Sequence, residues 1–150
     1  MRLTKQTDYA LRIMLYLGSF PDRVISTEEI SSAYRISGNH LAKVVHLLGK
    51  LGYIEVKRGR QGGIRMARPP ESINVGKFVR EVEPDFHLVE CFSGAKNTCE
   101  ITRACTLIQP LREARDAFLE SLERYTIADL FTPRSTARYR KVFLQLAPPS

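Results

Sequence analysis

NHLAKVVHLLGKLGYIEVKRGRQGGIRMA, residues 39–67, changes period halfway along, and that change decides the fold. On a helix from Asn39 to Lys50, the residues Leu41, Val44, Val45, Leu48 and Leu51 share one apolar stripe, the spacing of a buried helical face. Asn39, Lys43, His46 and Lys50 fall opposite, polar and basic. Gly52 follows, tolerant of the left-handed conformation that ends helices. The pattern then shortens to two strands, Tyr53 to Lys57 and Ile64 to Ala67, around the tip Arg58-Gly59-Arg60-Gln61-Gly62-Gly63. A glycine-rich basic tip between two short apolar runs predicts a hairpin.

Upstream, Tyr9-Ala10, Ile13-Met14 and Leu17 recur at helical spacing. They predict a first helix over Thr4–Leu17, started by Thr4 or Thr7 and stopped by Gly18 and Pro21. Ser26 and Glu29 have the spacing of a capping box and open a short helix with Ile30 and Ala33 inward. Ile36-Ser37-Gly38-Asn39 reads as a turn. Three helices followed by a hairpin give a mainly α fold with a small β-hairpin wing, a winged helix-turn-helix. Downstream, Pro69-Pro70 marks a linker, a helix is expected over Val75–Glu83, and a long helix over Ile101–Arg124. Arg134–Lys141 reads as a peripheral basic tail, and Ala147-Pro148-Pro149-Ser150 as a frayed end. The expected division is a DNA-binding head at 1–68, a cysteine loop with a dimerisation helix at 69–131, and a tail at 132–150.

The formal net charge is +7, unevenly placed. Residues 1–80 hold 14 Lys/Arg against 6 Asp/Glu, and residues 81–150 hold 9 against 10. A basic head on a near-neutral remainder points to a polyanionic partner. No apolar run reaches the roughly 18 residues a membrane span needs. Met1-Arg2-Leu3-Thr4-Lys5 leads into no apolar signal core, so a cytoplasmic protein is expected.

In a helix-turn-helix the polar face of the third helix enters the major groove. Asn39, His40 and Lys43 are expected near base edges, with His46 and Lys50 at phosphate or water. Arg58 and Arg60 on the hairpin tip are suited to phosphate or the minor groove, with Gln61 beside them and Gly62 and Gly63 allowing close backbone approach.

The chain has three cysteines, spaced Cys91-x7-Cys99-x5-Cys105. An odd number of clustered thiols argues against a disulfide framework and for metal binding or redox sensing. The spacing is neither that of a zinc ribbon nor that of a bacterial ferredoxin. Cys105 is expected at the start of the long helix, where the dipole favours thiolate. A fourth ligand must be another residue type: Asp8, Asp85, His87, Glu90 or Glu100, of which His87, close in sequence, is the local choice. Leu107, Leu111, Ala114, Phe118, Leu122 and Tyr125 follow a near-heptad spacing, a candidate dimer seam interrupted by Pro110. An enzyme with a cysteine nucleophile lacks any evident oxyanion site.

Several stretches together resemble a known family. They are Leu3-Thr4 with Thr7-Asp8-Tyr9-Ala10-Leu11-Arg12, Asn39-His40-Leu41-x-Lys43-Val44-Val45, Leu51-Gly52-Tyr53-Ile54 and Arg58-Gly59-x-x-Gly62-Gly63-Ile64-Arg65. Val79-Arg80-Glu81-x-Glu83-Pro84, Cys99-x-Ile101-Thr102-x-Ala104-Cys105 and Tyr125-Thr126-x-Ala128-Asp129-Leu130 continue the match. The chain resembles the Rrf-two (NsrR/IscR) family of winged-helix iron–sulfur repressors, and within it the nitric oxide-sensing branch. The resemblance implies a homodimeric repressor of palindromic duplex operators, without membrane attachment. Cys91, Cys99 and Cys105 would hold an iron–sulfur cluster, 4Fe–4S favoured over 2Fe–2S. Nitric oxide would react at the iron, displace ligands and release DNA. The resemblance also implies Asp8 of the partner subunit as fourth ligand, with His87 as the fallback. Two departures stand out: the gap between Cys91 and Cys99 is longer than the family's usual one, and Ile108 stands where the IscR branch has histidine. A regulator of similar shape that senses thiol oxidation or binds zinc is the alternative.

Overall fold

The computed structural model describes residues 2–146. Six helices and one hairpin follow in order: α1 (Lys5–Ser19), α2 (Thr27–Tyr34), α3 (Gly38–Lys50), β1 (Ile54–Lys57), β2 (Gly63–Met66), α4 (Val75–Val82), α5 (Ile108–Glu123) and α6 (Pro133–Leu146). This is the winged helix expected from the sequence. The end at 147–150, expected to fray, lies outside the described residues. Among the described residues no helix is long and apolar enough to cross a membrane.

Local chemistry sets the helix starts. The Thr4, Ser26, Ser37 and Asn74 side chains each accept from a backbone N–H three residues on, satisfying donors that the first turn leaves unpaired. Ser37 starts α3 one residue ahead of Asn39, so the turn before it is shorter than expected. Only half of the capping box forms. Ser26 Oγ accepts from Glu29 N, but the Glu29 carboxylate is drawn inward by Tyr16 Oη and Arg23 Nη2, at 2.8 and 3.0 Å.

The core gathers Ala10, Ile13, Met14 and Leu17 of α1, Ile30 and Ala33 of α2, and Leu41, Val44, Val45 and Leu48 of α3. Gly52, at φ +72°, turns the chain into β1. The hairpin register pairs Ile54 with Met66 and Lys57 with Gly63. A side chain at Gly63 would meet the Ile25 carbonyl oxygen at 2.3 Å, where Ile25 and Ile64 form an isolated bridge. The glycine is therefore demanded by the fold, whatever ligand approaches it.

Three expectations are corrected. The long helix begins at Ile108 rather than Ile101. Asn97 Nδ2 donates to Thr102 Oγ1, and Thr102 Oγ1 donates to the Cys99 carbonyl, so short polar side chains hold this stretch in turns instead. Pro110 falls in the first turn of α5, where a missing N–H costs little. Cys105 thus lies in the loop and not on the helix. None of the six residues of the expected seam is buried within the single chain. Leu119 is the buried residue of α5, while Phe118 and Leu122 are half-buried and Leu107 is 60% exposed. α5 lies along α4, held by Arg80 Nε to Glu123 Oε1 at 2.8 Å and Asn74 Nδ2 to the Glu123 carbonyl at 2.7 Å.

Third, residues 133–146 form a helix that returns to the head, not a peripheral tail. Phe143 is 5% exposed, with ring centroids 4.6 Å from Tyr16 and 5.6 Å from Tyr34. Arg140 Nε donates to the Ser19 carbonyl at the end of α1. Four basic residues on α6 mask the Tyr139–Phe143 stripe in the sequence. Phe143→Ala should cost about 3–5 kcal/mol and lower the melting temperature by roughly 6–20 °C. An unchanged urea midpoint would show that α6 does not pack on the head in solution.

Candidate functional site

The first surface is built on α3. Its apolar stripe faces α1 and α2, and this orientation leaves Asn39, His40, Lys43, His46 and Lys50 all exposed. Ala42, between them, is exposed too. Alanine carries no polar group to mark it in the sequence, yet a small residue there leaves room for close approach. His40 and Lys43 lie toward α1 and line a cleft with Lys5, Gln6, Tyr9 and Val44. The α1 residues were not legible as part of this surface, since only the packing of α1 on α3 brings them together.

The wing tip places Arg58, Arg60 and Gln61 in solvent. Gly62 is half-buried, and a Cβ there would meet the Lys57 and Gly59 carbonyl oxygens at 2.5 and 2.8 Å. Gly62 and Gly63 thus serve the hairpin's own tight backbone, and the exposed groups at the tip are the two arginines and the glutamine. The wing is braced lower down by Arg65 and Glu55, 2.7 Å apart and both more than half exposed.

The second surface is the loop between α4 and α5. Its base is fixed. The Glu83 carboxylate accepts from Thr4 N at 3.1 Å, Thr4 Oγ1 at 3.0 Å and Thr7 Oγ1 at 2.5 Å. Further along, the Phe92 ring sits under Arg112 and Arg115 of α5, at 5.9 and 5.3 Å. Around and just after Phe92 the chain forms two short 3₁₀ turns, Glu90–Phe92 and Gly94–Lys96. Cys91 and Cys105 are partly buried, Cys99 is exposed, and all three are free thiols.

Among the described residues, no three His, Cys, Asp or Glu side chains converge as a metal-binding group. The candidate fourth ligands are engaged elsewhere. Asp8 is held by Arg12 through both carboxylate oxygens, Nε to Oδ1 at 3.0 Å and Nη2 to Oδ2 at 2.7 Å. Glu90 accepts from the Thr98 hydroxyl and backbone N–H, and these bonds hold its carboxyl below the usual range. Asp85 Oδ1 accepts from His87 N, and His87 Nδ1 stands 3.6 Å from the same oxygen. Glu100 is exposed. The donor chemistry nevertheless suits an iron–sulfur cluster: three unpaired thiols on one solvent-reachable loop, with carboxylates and a histidine around them.

A family model described as Rrf2, iron-dependent transcriptional regulator, matches residues 3–133. The HTH-type transcriptional regulator NsrR of Shouchella clausii (strain KSM-K16) is 50% identical over 131 residues, 87% of this chain and 88% of that protein. The regulator of the same name from Bacillus subtilis (strain 168) is 47% identical over 131 residues, 87% of this chain and 90% of that protein. Among solved structures, CymR (YrzC), the global cysteine regulator of B. subtilis, matches with a TM-score of 0.65 at 25% identity, covering 87% of this chain and 95% of that one. With its winged helix and a match over nearly all of residues 3–133, the chain belongs to the Rrf2 family and is a transcriptional regulator of the NsrR/IscR type.

Proposed function

We propose that the protein is a homodimeric repressor that binds a palindromic duplex operator and senses nitric oxide through an iron–sulfur cluster on Cys91, Cys99 and Cys105. One observation carries this reading. Three free thiols share a single loop whose base is hydrogen-bonded to the first turn of α1, beside the exposed polar face of α3.

On the DNA side, Asn39, His40 and Lys43 lie near base edges, and His46 and Lys50 contact phosphate or water. His40 sits at the edge of this face, toward α1. Arg58, Arg60 and Gln61 reach the neighbouring groove or backbone from the wing. Gly62 and Gly63 shape the tip that presents them. A second copy supplies the second half-site, and the apolar edge left by Leu107, just before α5, and by Leu111 and Ala114 on it is where it would pack.

On the sensor side, the loop has to close to bring the three sulfurs together, and Asp8 has to release at least one oxygen from Arg12 to serve as fourth ligand across the dimer. His87 is the fallback donor. A bound cluster, four-iron by preference and two-iron otherwise, supplies iron that reacts with nitric oxide. The protein's own part is mechanical. Thiols on one subunit and a carboxylate on the other fix the angle between two reading heads, and loss of that tie weakens simultaneous binding of both half-sites. A coupling of about 1–3 kcal/mol changes affinity roughly 5- to 150-fold.

The test is an anaerobic titration of the purified protein with nitric oxide. It is followed by visible absorbance and by a gel shift on a duplex that the protein has selected from random sequence. Bleaching of a brown protein in step with loss of the shifted band is expected. A colourless protein that binds DNA regardless of nitric oxide, even after incubation with iron and sulfide, would favour the thiol-oxidation or zinc reading. Cys99→Ala should give a folded, dimeric, colourless protein with operator affinity reduced by about 5- to 150-fold; retained colour would remove Cys99 from the ligand set. Arg60→Ala should weaken binding and lower the slope of log affinity against log salt by about 1. An unchanged slope would take the wing off the DNA.

A further inference from the structure

The cleft between the first turns of α1 and the outer edge of α3 is lined by Lys5, Gln6, Tyr9, His40, Lys43 and Val44. We propose that this cleft grips one backbone phosphate in each operator half-site, with Lys5 the residue that closes on it. The proposal rests on the DNA-binding reading above and adds α1 to the interface.

Charge is the first reason. The lining holds two lysines and a histidine and no carboxylate. The nearby acid of α1, Asp8, lies outside it and is neutralised by Arg12 at 2.7 Å. Position is the second. A recognition helix seated in the major groove has its flanks against the two phosphate backbones. His40 and Lys43 mark the α3 flank that faces α1, so a backbone passing that flank meets Lys5. Rigidity is the third. Thr4 caps α1, and Thr4 and Thr7 are fixed to Glu83. Gln6 Nε2 donates to the Val82 carbonyl at 2.8 Å. Lys5 therefore projects from a backbone already held on both sides, and only its own rotamers are ordered on binding. The apolar floor is the fourth. Val44 is 4% exposed and Tyr9 is half-buried. Such a floor excludes water from one side of the ion pair and strengthens it.

A phosphate contact carries no sequence information, and this separates it from base readout. The experiment measures affinity by fluorescence anisotropy for the selected operator and for a scrambled duplex, across a range of salt. Lys5→Ala should weaken both duplexes by the same factor, and the salt slope should fall by about 0.9. That slope corresponds to roughly an eightfold loss at 0.1 M salt, relative to a reference at 1 M. An operator series with a single neutral methylphosphonate linkage then locates the contact: at one linkage per half-site, Lys5→Ala should have no further effect. Lys5 is exposed, so the variant should keep the wild-type melting temperature, and Lys5→Glu provides a second variant with a larger loss.

If Lys5→Ala leaves affinity and slope unchanged while Lys43→Ala and Arg60→Ala weaken binding, the grip is wrong and the DNA-binding reading stands. If none of the three weakens binding, that reading fails and takes the grip with it. Loss on the operator alone would make Lys5 a base reader and overturn the proposal. Competition by millimolar inorganic phosphate with no masked linkage would assign the cleft to a free anion, and would overturn it too.

Discussion

The burial of α1 is the constraint on which the rest depends. Its inward residues Ala10, Ile13, Met14, Tyr16 and Leu17 are at most 2% exposed. The helix touches α3, α4, β2 and α6, and so stands between the reading surface, the wing, the root of the cysteine loop and the C-terminal helix. Its two ends are tied by different chemistry. At the start, Thr4 and Thr7 hand three hydrogen bonds to the Glu83 carboxylate. At the finish, the Ser19 carbonyl accepts from Arg140, and the Tyr16 ring lies against Phe143. Hydrogen bonds to a charged group are worth about 1.5–3 kcal/mol each, so the Glu83 tie holds the loop's root to the head firmly.

This arrangement explains what could be read from the sequence and what could not. Elements set by local rules were legible. The α3 stripe of Leu41, Val44, Val45 and Leu48 is a clean helical period, and Ser26 and Gly52 are punctuation with a direct backbone cause. The hairpin was placed to within a residue because its tip needs Gly62 and Gly63 for room. Elements set by competition were not legible. Ile101–Leu107 has helix-compatible residues, but Asn97 and Thr102 capture the backbone in turns. α6 hides two aromatic residues among arginines, and only the pocket formed by Tyr16, Phe20 and Tyr34 shows why Phe143 belongs inside. On α5 the inward residue is Leu119, next to the half-buried Phe118 of the near-heptad stripe, and sequence spacing alone does not separate the two.

The polar face of α3 shows the same division. Its basic residues were evident from spacing, because nothing apolar interrupts them. The contribution of α1 was not, because Lys5, Gln6 and Tyr9 belong to the surface only through tertiary packing. Charge asymmetry singles out the first half of the chain, but charge alone does not say which side chains share a surface. Asp8 illustrates the point from the other sign. It lies on the same helix as Lys5, three residues along, yet its charge is cancelled by Arg12 and does not enter the cleft.

The cysteine loop is the part of the chain least determined by its own sequence. Within one chain its turns are held by short polar contacts, Glu90 with Thr98 and Asn97 with Thr102. Exposed bonds of this kind compete with water and add little. Ligand bonds from three thiolates to a metal centre are worth far more, about 10 kcal/mol or above for structural zinc sites. A few such hydrogen bonds cannot hold the loop open against a centre that the thiols bind. They can hold it in a defined resting form, with its carboxylates occupied, until one arrives. The anchors at Glu83 and Phe92 fall outside that exchange: they tie the first part of the loop to Thr4 and Thr7 of α1 and to Arg112 and Arg115 of α5.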